Sequence, residues 1–204
     1  ALKKEKWDIP YLPIDPTDLG RTYEAVIRIN SQSGKGGIAY IMENEYGYSL
    51  PKSMHPEFSK LIQILTEKSG KEISSDEIYT CFKDSYLSLS YPFKLIKFKS
   101  NQNDEDETSV TLTLTLDGRE LAIKGSGNGP IDASKQALLP HTSGFKIVNY
   151  AEHSLSEGSD SKAIAYIQLE SKTGQQCYGV GIDPSINLAS IKALFSALNR
   201  LHYL

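Results

Sequence analysis

Between positions 110 and 116 the chain alternates without a break: Val110, Leu112, Leu114 and Leu116 fall on one side, Thr111, Thr113 and Thr115 on the other. A period of two with one apolar and one polar set is the pattern of a strand buried on a single face. Tyr23, Ala25, Ile27 and Ile29 alternate with Glu24, Val26, Arg28 and Asn30 in the same way and predict an earlier strand. Elsewhere the period lengthens. Pro56 stands at a first helical position before Phe58, Leu61, Ile62 and Leu65, and Gly70 ends that run. Ser74 with Glu77 three residues on is a capping box, and Ile78, Phe82 and Tyr86 follow on one side. These two helices predict a small packing subdomain over 43–91, preceded over 1–42 by an arm with a strand and a loop, with Tyr91-Pro92 as the next boundary.

From residue 92 the elements recur in order. Strands predicted at 93–99, 110–116 and 121–124 lead to a helix from Pro130. Strands at 145–150, 163–169 and 177–180 lead to a helix from about Ser185, in which Leu188, Ile191, Leu194, Phe195, Leu198 and Leu201 make a broad apolar face. The fold class expected is α+β: small α/β linker subdomains, then two βββα units, 92–142 and 143–204, related by a pseudo-two-fold axis. Each unit presents a one-sided sheet to be covered by its own helix or by its twin. The strand-to-helix junctions carry the repeat itself: Gly125-Ser126-Gly127-Asn128-Gly129-Pro130-Ile131-Asp132-Ala133 returns as Gly179-Val180-Gly181-Ile182-Asp183-Pro184-Ser185-Ile186-Asn187. Glycine permits close backbone approach, proline pre-sets the first helical residue, and free N–H groups at a helix start hold an anion. The pair reads either as two tight turns or as a cradle for a small carboxylate where the units meet.

Composition narrows the function classes. With 204 residues, 39% apolar and 23% charged, the chain has room for one domain or two small ones. A formal net charge of -3 gives no general reason to bind nucleic acid or an acidic membrane surface. No apolar run is long enough to span a bilayer, and Lys3-Lys4-Glu5-Lys6 leads into no signal core. Cys81 and Cys177 lie far apart in apolar runs and read as buried thiols of a reducing, cytoplasmic compartment. The opening on Ala1 suggests a piece of something longer. Ser33-Gly34-Lys35-Gly36-Gly37 has the lysine and bare amides of a phosphate loop, but it lacks the upstream glycine and the Ser or Thr after the lysine. It reads as a loop closing over substrate or as a plain turn. Asp104-Glu105-Asp106-Glu107 reads as a solvated hairpin tip and Asp117-Gly118 as a hairpin turn. His153 beside Glu152 has no nucleophile motif to serve and reads as a structural histidine; catalysis by this chain alone is not expected.

Longer stretches say more than periodicity does. Ile9-Pro10-Tyr11-Leu12-Pro13-Ile14-Asp15-Pro16, and then the run from Gly20-Arg21-Thr22-Tyr23 to Gly36-Gly37, closely resemble the linker region of the 2-isopropylmalate synthases. Gly125 to Pro130, Tyr150-Ala151-Glu152-His153-Ser154, Ile182-Asp183-Pro184-Ser185-Ile186 and Asn199-Arg200 are similar to that family's leucine-binding regulatory domain. The resemblance covers essentially the whole chain. It implies the linker and allosteric, dimerising region of an acyltransferase whose metal-dependent barrel condenses acetyl-CoA with 3-methyl-2-oxobutanoate in leucine synthesis, inhibited by leucine. It also implies that the divalent metal belongs to the barrel, that this chain holds no cofactor or metal, and that its partners are leucine, a second copy in a homodimer and the catalytic barrel. Tyr23 matches the linker tyrosine that reaches the partner subunit's active site as an auxiliary catalytic group. Asn128, Gly129, Pro130, Ile131 and Asp132 match one lip of the effector site, with Ile147, Tyr150, Ser154 and Ser161 nearby; the family often has alanine where Ser154 and Ser161 stand. In that arrangement the helix start takes the effector carboxylate, Asp132 or a carbonyl the ammonium, and Ile131 with Ile147 the isobutyl group. A free-standing amino-acid-binding module, or the regulatory region of a related citramalate or homocitrate synthase, stays open at this stage.

Overall fold

The alternation at 110–116 builds β2 (Thr108–Leu116), the middle strand of an antiparallel sheet between β1 (Phe93–Gln102) and β3 (Arg119–Gly127). The structure is a computed structural model that describes residues 35–102, 107–158 and 160–203. The expected strand at 23–29, Tyr23 and most of the acidic run at 104–107 lie outside the described residues. Asp117 and Gly118, with φ of 50° and 80°, make the tight turn into β3. Helix α4 (Pro130–Leu138) follows. A second sheet of the same order holds β4 (Phe145–Ser154), β5 (Ala163–Ser171) and β6 (Gln176–Asp183), followed by α5 (Ile186–His202). Each helix lies on the inner face of its own sheet, and both inner faces share one core that includes Leu112, Leu114, Ala133, Ile167, Leu169 and Leu194.

Glycine and alanine set how closely helix and sheet approach. A Cβ on Gly125 would stand 2.3 Å from the Ala133 carbonyl oxygen, and one on Gly181 would stand 2.1 Å from that of Ala189. These contacts also fix the register of the repeat. Val110 pairs with Gly125 and Ala165 with Gly181, and the two N-caps are Gly129 and Ser185. Gly125 therefore corresponds to Gly181, Gly127 to Asp183 and Gly129 to Ser185. The alignment expected from sequence, Gly125 with Gly179, is displaced by two residues. A slip of two keeps every side chain on its face, so strand periodicity does not reveal it.

Ahead of the sheets lie α1 (Lys35–Tyr46), α2 (His55–Ser69) and α3 (Ser75–Phe82), the last continued by a π-helical turn, Lys83–Leu87. Gly70, at φ 63°, stops α2, and the expected capping box starts α3: Glu77 accepts from the Ser74 N–H at 2.8 Å while Ser74 Oγ accepts from the Glu77 N–H at 3.3 Å. Helix α1 corrects two expectations. Lys35, Gly36 and Gly37 belong to its first turn and not to a loop, and the helix runs through the boundary expected at 42/43. The buried Ile38, Ile41 and Met42 are spaced three and four apart, which is a helical period.

The three helices pack on the outer face of the second sheet. Ile41, Phe58, Ile62, Phe82 and Tyr86 share a second core with Ile164, Tyr166, Tyr178 and Val180 of β5 and β6. That sheet is thus buried on both faces, which corrects the expectation of two one-sided sheets. The cause is visible in β5, where five successive residues from Ala163 to Ile167 are buried. An unbroken apolar run fits a strand covered on both sides.

Candidate functional site

Where β3 turns into α4 and meets β4, a cavity of about 530 Å³ opens between the two units. Six of the residues expected from sequence line it: Asn128, Gly129, Pro130, Ile131, Asp132 and Ile147. Gly129 is the N-cap of α4 in extended backbone, its carbonyl accepts from the Ala133 N–H at 2.9 Å, and a Cβ added there would meet nothing within 4 Å. Pro130 follows at the first helical position, where its missing N–H costs no hydrogen bond.

The helix start is not a bare anion cradle. The Asp132 carboxylate sits in the first turn of α4, accepting from the Asn128 N–H at 3.4 Å and from Gln136 Nε2 at 3.3 Å. It already supplies the negative charge that the helix dipole favours. The cations come from two residues that sequence reasoning missed, Lys135 and Lys146, which line the same cavity. Their positions carry a faint signal: Lys135 stands one helical turn after Asp132, and Lys146 immediately precedes Ile147. With Asp132 they give the cavity both signs of charge beside the apolar surface of Pro130, Ile131 and Ile147. A pocket of this size that sets charged groups beside apolar surface suits a small amphiphilic ligand.

Tyr150, Ser154 and Ser161 do not line that cavity. The Tyr150 hydroxyl lies 2.9 Å from Ser190 Oγ on α5 and donates to the Glu152 carboxylate. Ser154 and Ser161 hydrogen-bond each other at 2.6 Å, and Ser161 Oγ also accepts from the Ser156 N–H at 3.1 Å, closing the loop after β4. The second copy of the expected cradle, at the start of α5, is closed by its own side chains. Asp183 accepts from Lys192 Nζ at 2.7 Å and from the Ser185 N–H at 2.9 Å. Burial alone would raise the Asp183 pKa, but these two donors outweigh it and hold the carboxyl below its usual range.

Of the remaining candidate groups, His153 and Arg200 hold the helices to the second sheet, and Asn199 ties α5 to β1. His153 Nε2 lies 3.1 Å from the Gly47 carbonyl and 3.3 Å from the Ser49 N–H, and its ring stacks on Tyr166. Glu57 of α2 accepts from the Tyr178 N–H and the Tyr86 hydroxyl, each at 3.0 Å, and from the Arg200 guanidinium, which lies 4.1 Å over the Tyr86 ring. Asn199 exchanges two 2.8 Å hydrogen bonds with the backbone of Phe93. Both cysteines are free, and burial pushes the Cys177 thiol up to about 12.

Residues 72–202 match the family model of the LeuA allosteric (dimerisation) domain, and residues 1–43 match that of an alpha-isopropylmalate synthase, post-catalytic domain-like. The chain is 47% identical over 204 residues to a 2-isopropylmalate synthase of Clostridium acetobutylicum, covering 97% of this chain and 36% of that protein. The corresponding figures are 48% over 201 residues, with 95% and 35% covered, for that of Mycobacterium ulcerans. For that of Helicobacter hepaticus they are 45% over 204 residues, with 96% and 36% covered. The chain spans about a third of the length of the curated relatives it matches.

Proposed function

We propose that this chain, which belongs to the LeuA allosteric (dimerisation) domain family, is the linker and regulatory region of a 2-isopropylmalate synthase and binds leucine in the cavity between its two units. Leucine binding would inhibit the condensation of acetyl-CoA with 3-methyl-2-oxobutanoate, the reaction of a metal-dependent barrel elsewhere in the enzyme. In this reading the chain alone is inactive, works as a homodimer, and supplies Tyr23 to the partner subunit's active site. The observation that carries the reading is the cavity itself, where Lys135 and Lys146 stand with Asp132 and with Ile131 and Ile147 in one space of about 530 Å³. The lysines receive the carboxylate of an amino acid, Asp132 its ammonium, and the isoleucines its branched side chain. Inhibition then requires that leucine prefer one arrangement of the region over another, since equal affinity for both shifts nothing.

Titration calorimetry on the 204-residue chain tests this directly. Leucine is expected to bind the wild type, and Gly129→Leu, at a lining position of the cavity where the backbone is extended and a Cβ meets nothing, is expected to abolish the heat while leaving the thermal midpoint in place. Unchanged affinity in the variant would overturn the assignment. A thermal-shift series with leucine, isoleucine and lysine separates this reading from a related synthase with another effector, because the ligand that binds the native state raises its midpoint.

A further inference from the structure

Strand β4 touches both the cavity and the helices, and an irregularity in its backbone lets it do so. Ile147 pairs with Leu169 and Asn149 with Gln168, so Val148 is bulged out between them and is 43% exposed. In a regular strand residues 147 and 149 would share a face. The bulge puts them on opposite faces. Before it, Phe145 and Ile147 belong to the core between the two units; after it, Ala151 packs with the core of the three helices. Asn149 Nδ2 donates to the Tyr178 hydroxyl at 2.7 Å and to Ser53 Oγ at 3.1 Å, and His153 meets Gly47 and Ser49. One strand therefore carries Lys146 and Ile147 into the cavity and Asn149 and His153 onto segment 47–53.

Among the described residues, the other cavity elements have no such connection. The turn at Asn128 and Gly129 and helix α4 belong to the first unit, and no residue of β1–β3 or α4 joins the core of the helices. The first unit has a bulge at the corresponding place, between Leu95 and Lys97, but Lys97 beyond it is exposed. Only β4, among the described residues, both lines the cavity and docks on the helices.

We infer that β4 transmits occupancy of the cavity to the helices, with Asn149 and His153 as the positioning residues that pass a shift at Lys146 and Ile147 to segment 47–53. The inference rests on the cavity being the effector site. A ligand held in the cavity against the strand at Lys146 and Ile147 repositions it on one side of the bulge, and Asn149, the next paired residue, moves with it. The Ser53 hydroxyl and the backbone at 47–49 follow through their hydrogen bonds.

The test compares wild type, Asn149→Leu and His153→Phe; the second keeps the ring stack on Tyr166 and loses only the ring nitrogens. Calorimetry gives leucine affinity, and amide hydrogen exchange with and without leucine gives the response of 47–53. In the wild type, leucine is expected to change exchange in that segment about tenfold. In either folded variant affinity should stay within about threefold of wild type while the response falls below about twofold, a separation that purely structural damage does not produce. A variant that binds leucine and responds like the wild type would overturn the inference while leaving the cavity assignment intact. Absence of leucine binding by the wild type would overturn the cavity assignment, and this inference with it.

Discussion

The two βββα units follow the same path and differ in what covers the outer faces of their sheets. The first unit shows threonines and lysines there: Thr111, Thr113 and Thr115 are half-buried, and Lys97 and Lys124 are exposed. The second shows Ile164, Tyr166, Tyr178 and Val180, each at most 2% exposed beneath the helices. The helix side is alike in both, glycine against alanine. The inner packing is thus alike in the two units, while the outer face of the second alone serves as an attachment surface for the helices. The difference reaches single atoms. Tyr150 of β4 bonds Ser190 of α5, whereas their counterparts by register are Phe98 and Ser134, and the Ser134 hydroxyl is buried without a partner.

Four measurements break or sharpen this contrast. The largest effects should be equal in the two units: Gly125→Ala and Gly181→Ala each push a Cβ into helix backbone, and urea denaturation is expected to show a loss of roughly 3 kcal/mol in each. A mild effect in one alone would mean that the helices do not seat alike. Next, Glu57→Ala leaves the partly buried Arg200 without its carboxylate and should cost about 3 kcal/mol, while Lys124→Ala on the wet face of the first sheet should stay within about 0.5 kcal/mol. Comparable urea midpoints for these two variants would contradict the account of the outer faces. Third, Phe98→Tyr should give Ser134 its partner and raise stability by roughly 1 kcal/mol, with Tyr150→Phe lowering it by a similar amount. Melts of the two variants that move the same way would sink the register equivalence.

The smallest effect is in acid. Asp183 has Gly127 as its counterpart, so only the second unit carries this carboxylate. Its folded pKa lies below the ordinary value, so its stabilising contribution is complete above about pH 4 and is lost as pH falls through the lower folded value. Asp183→Asn is expected to flatten the acid limb of the thermal midpoint below about pH 4. A limb as steep as that of the wild type would assign the acid sensitivity to other carboxylates.

Local chemistry was readable in the sequence wherever a short motif determines it. The capping box at Ser74 and Glu77, the stop at Gly70, the proline start of α4 and the alternation of β2 all appear as expected. Helix α1 was hidden because Gly36 and Gly37 are poor helix formers, and the packing of Ile38, Ile41 and Met42 overrides that preference. The six residues that line the cavity were reached through the family resemblance, five of them as one consecutive run. Lys135 and Lys146 were not among the positions the resemblance carried over, although each stands close to one of them in sequence, and the structure brings both to the same space. The bulge at Val148 likewise leaves no mark on apolar spacing, yet it determines which side of β4 each later residue faces.

One consequence follows from the sheet that is covered twice. Tyr91-Pro92 looks like a natural place to divide the protein, because the repeats begin there. A fragment starting at residue 92 would lay bare Ile164, Tyr166, Tyr178 and Val180 together, a contiguous greasy plate on an otherwise finished domain. Such a truncation should precipitate or self-associate, so the start of the repeats is not a seam along which the molecule can be taken apart.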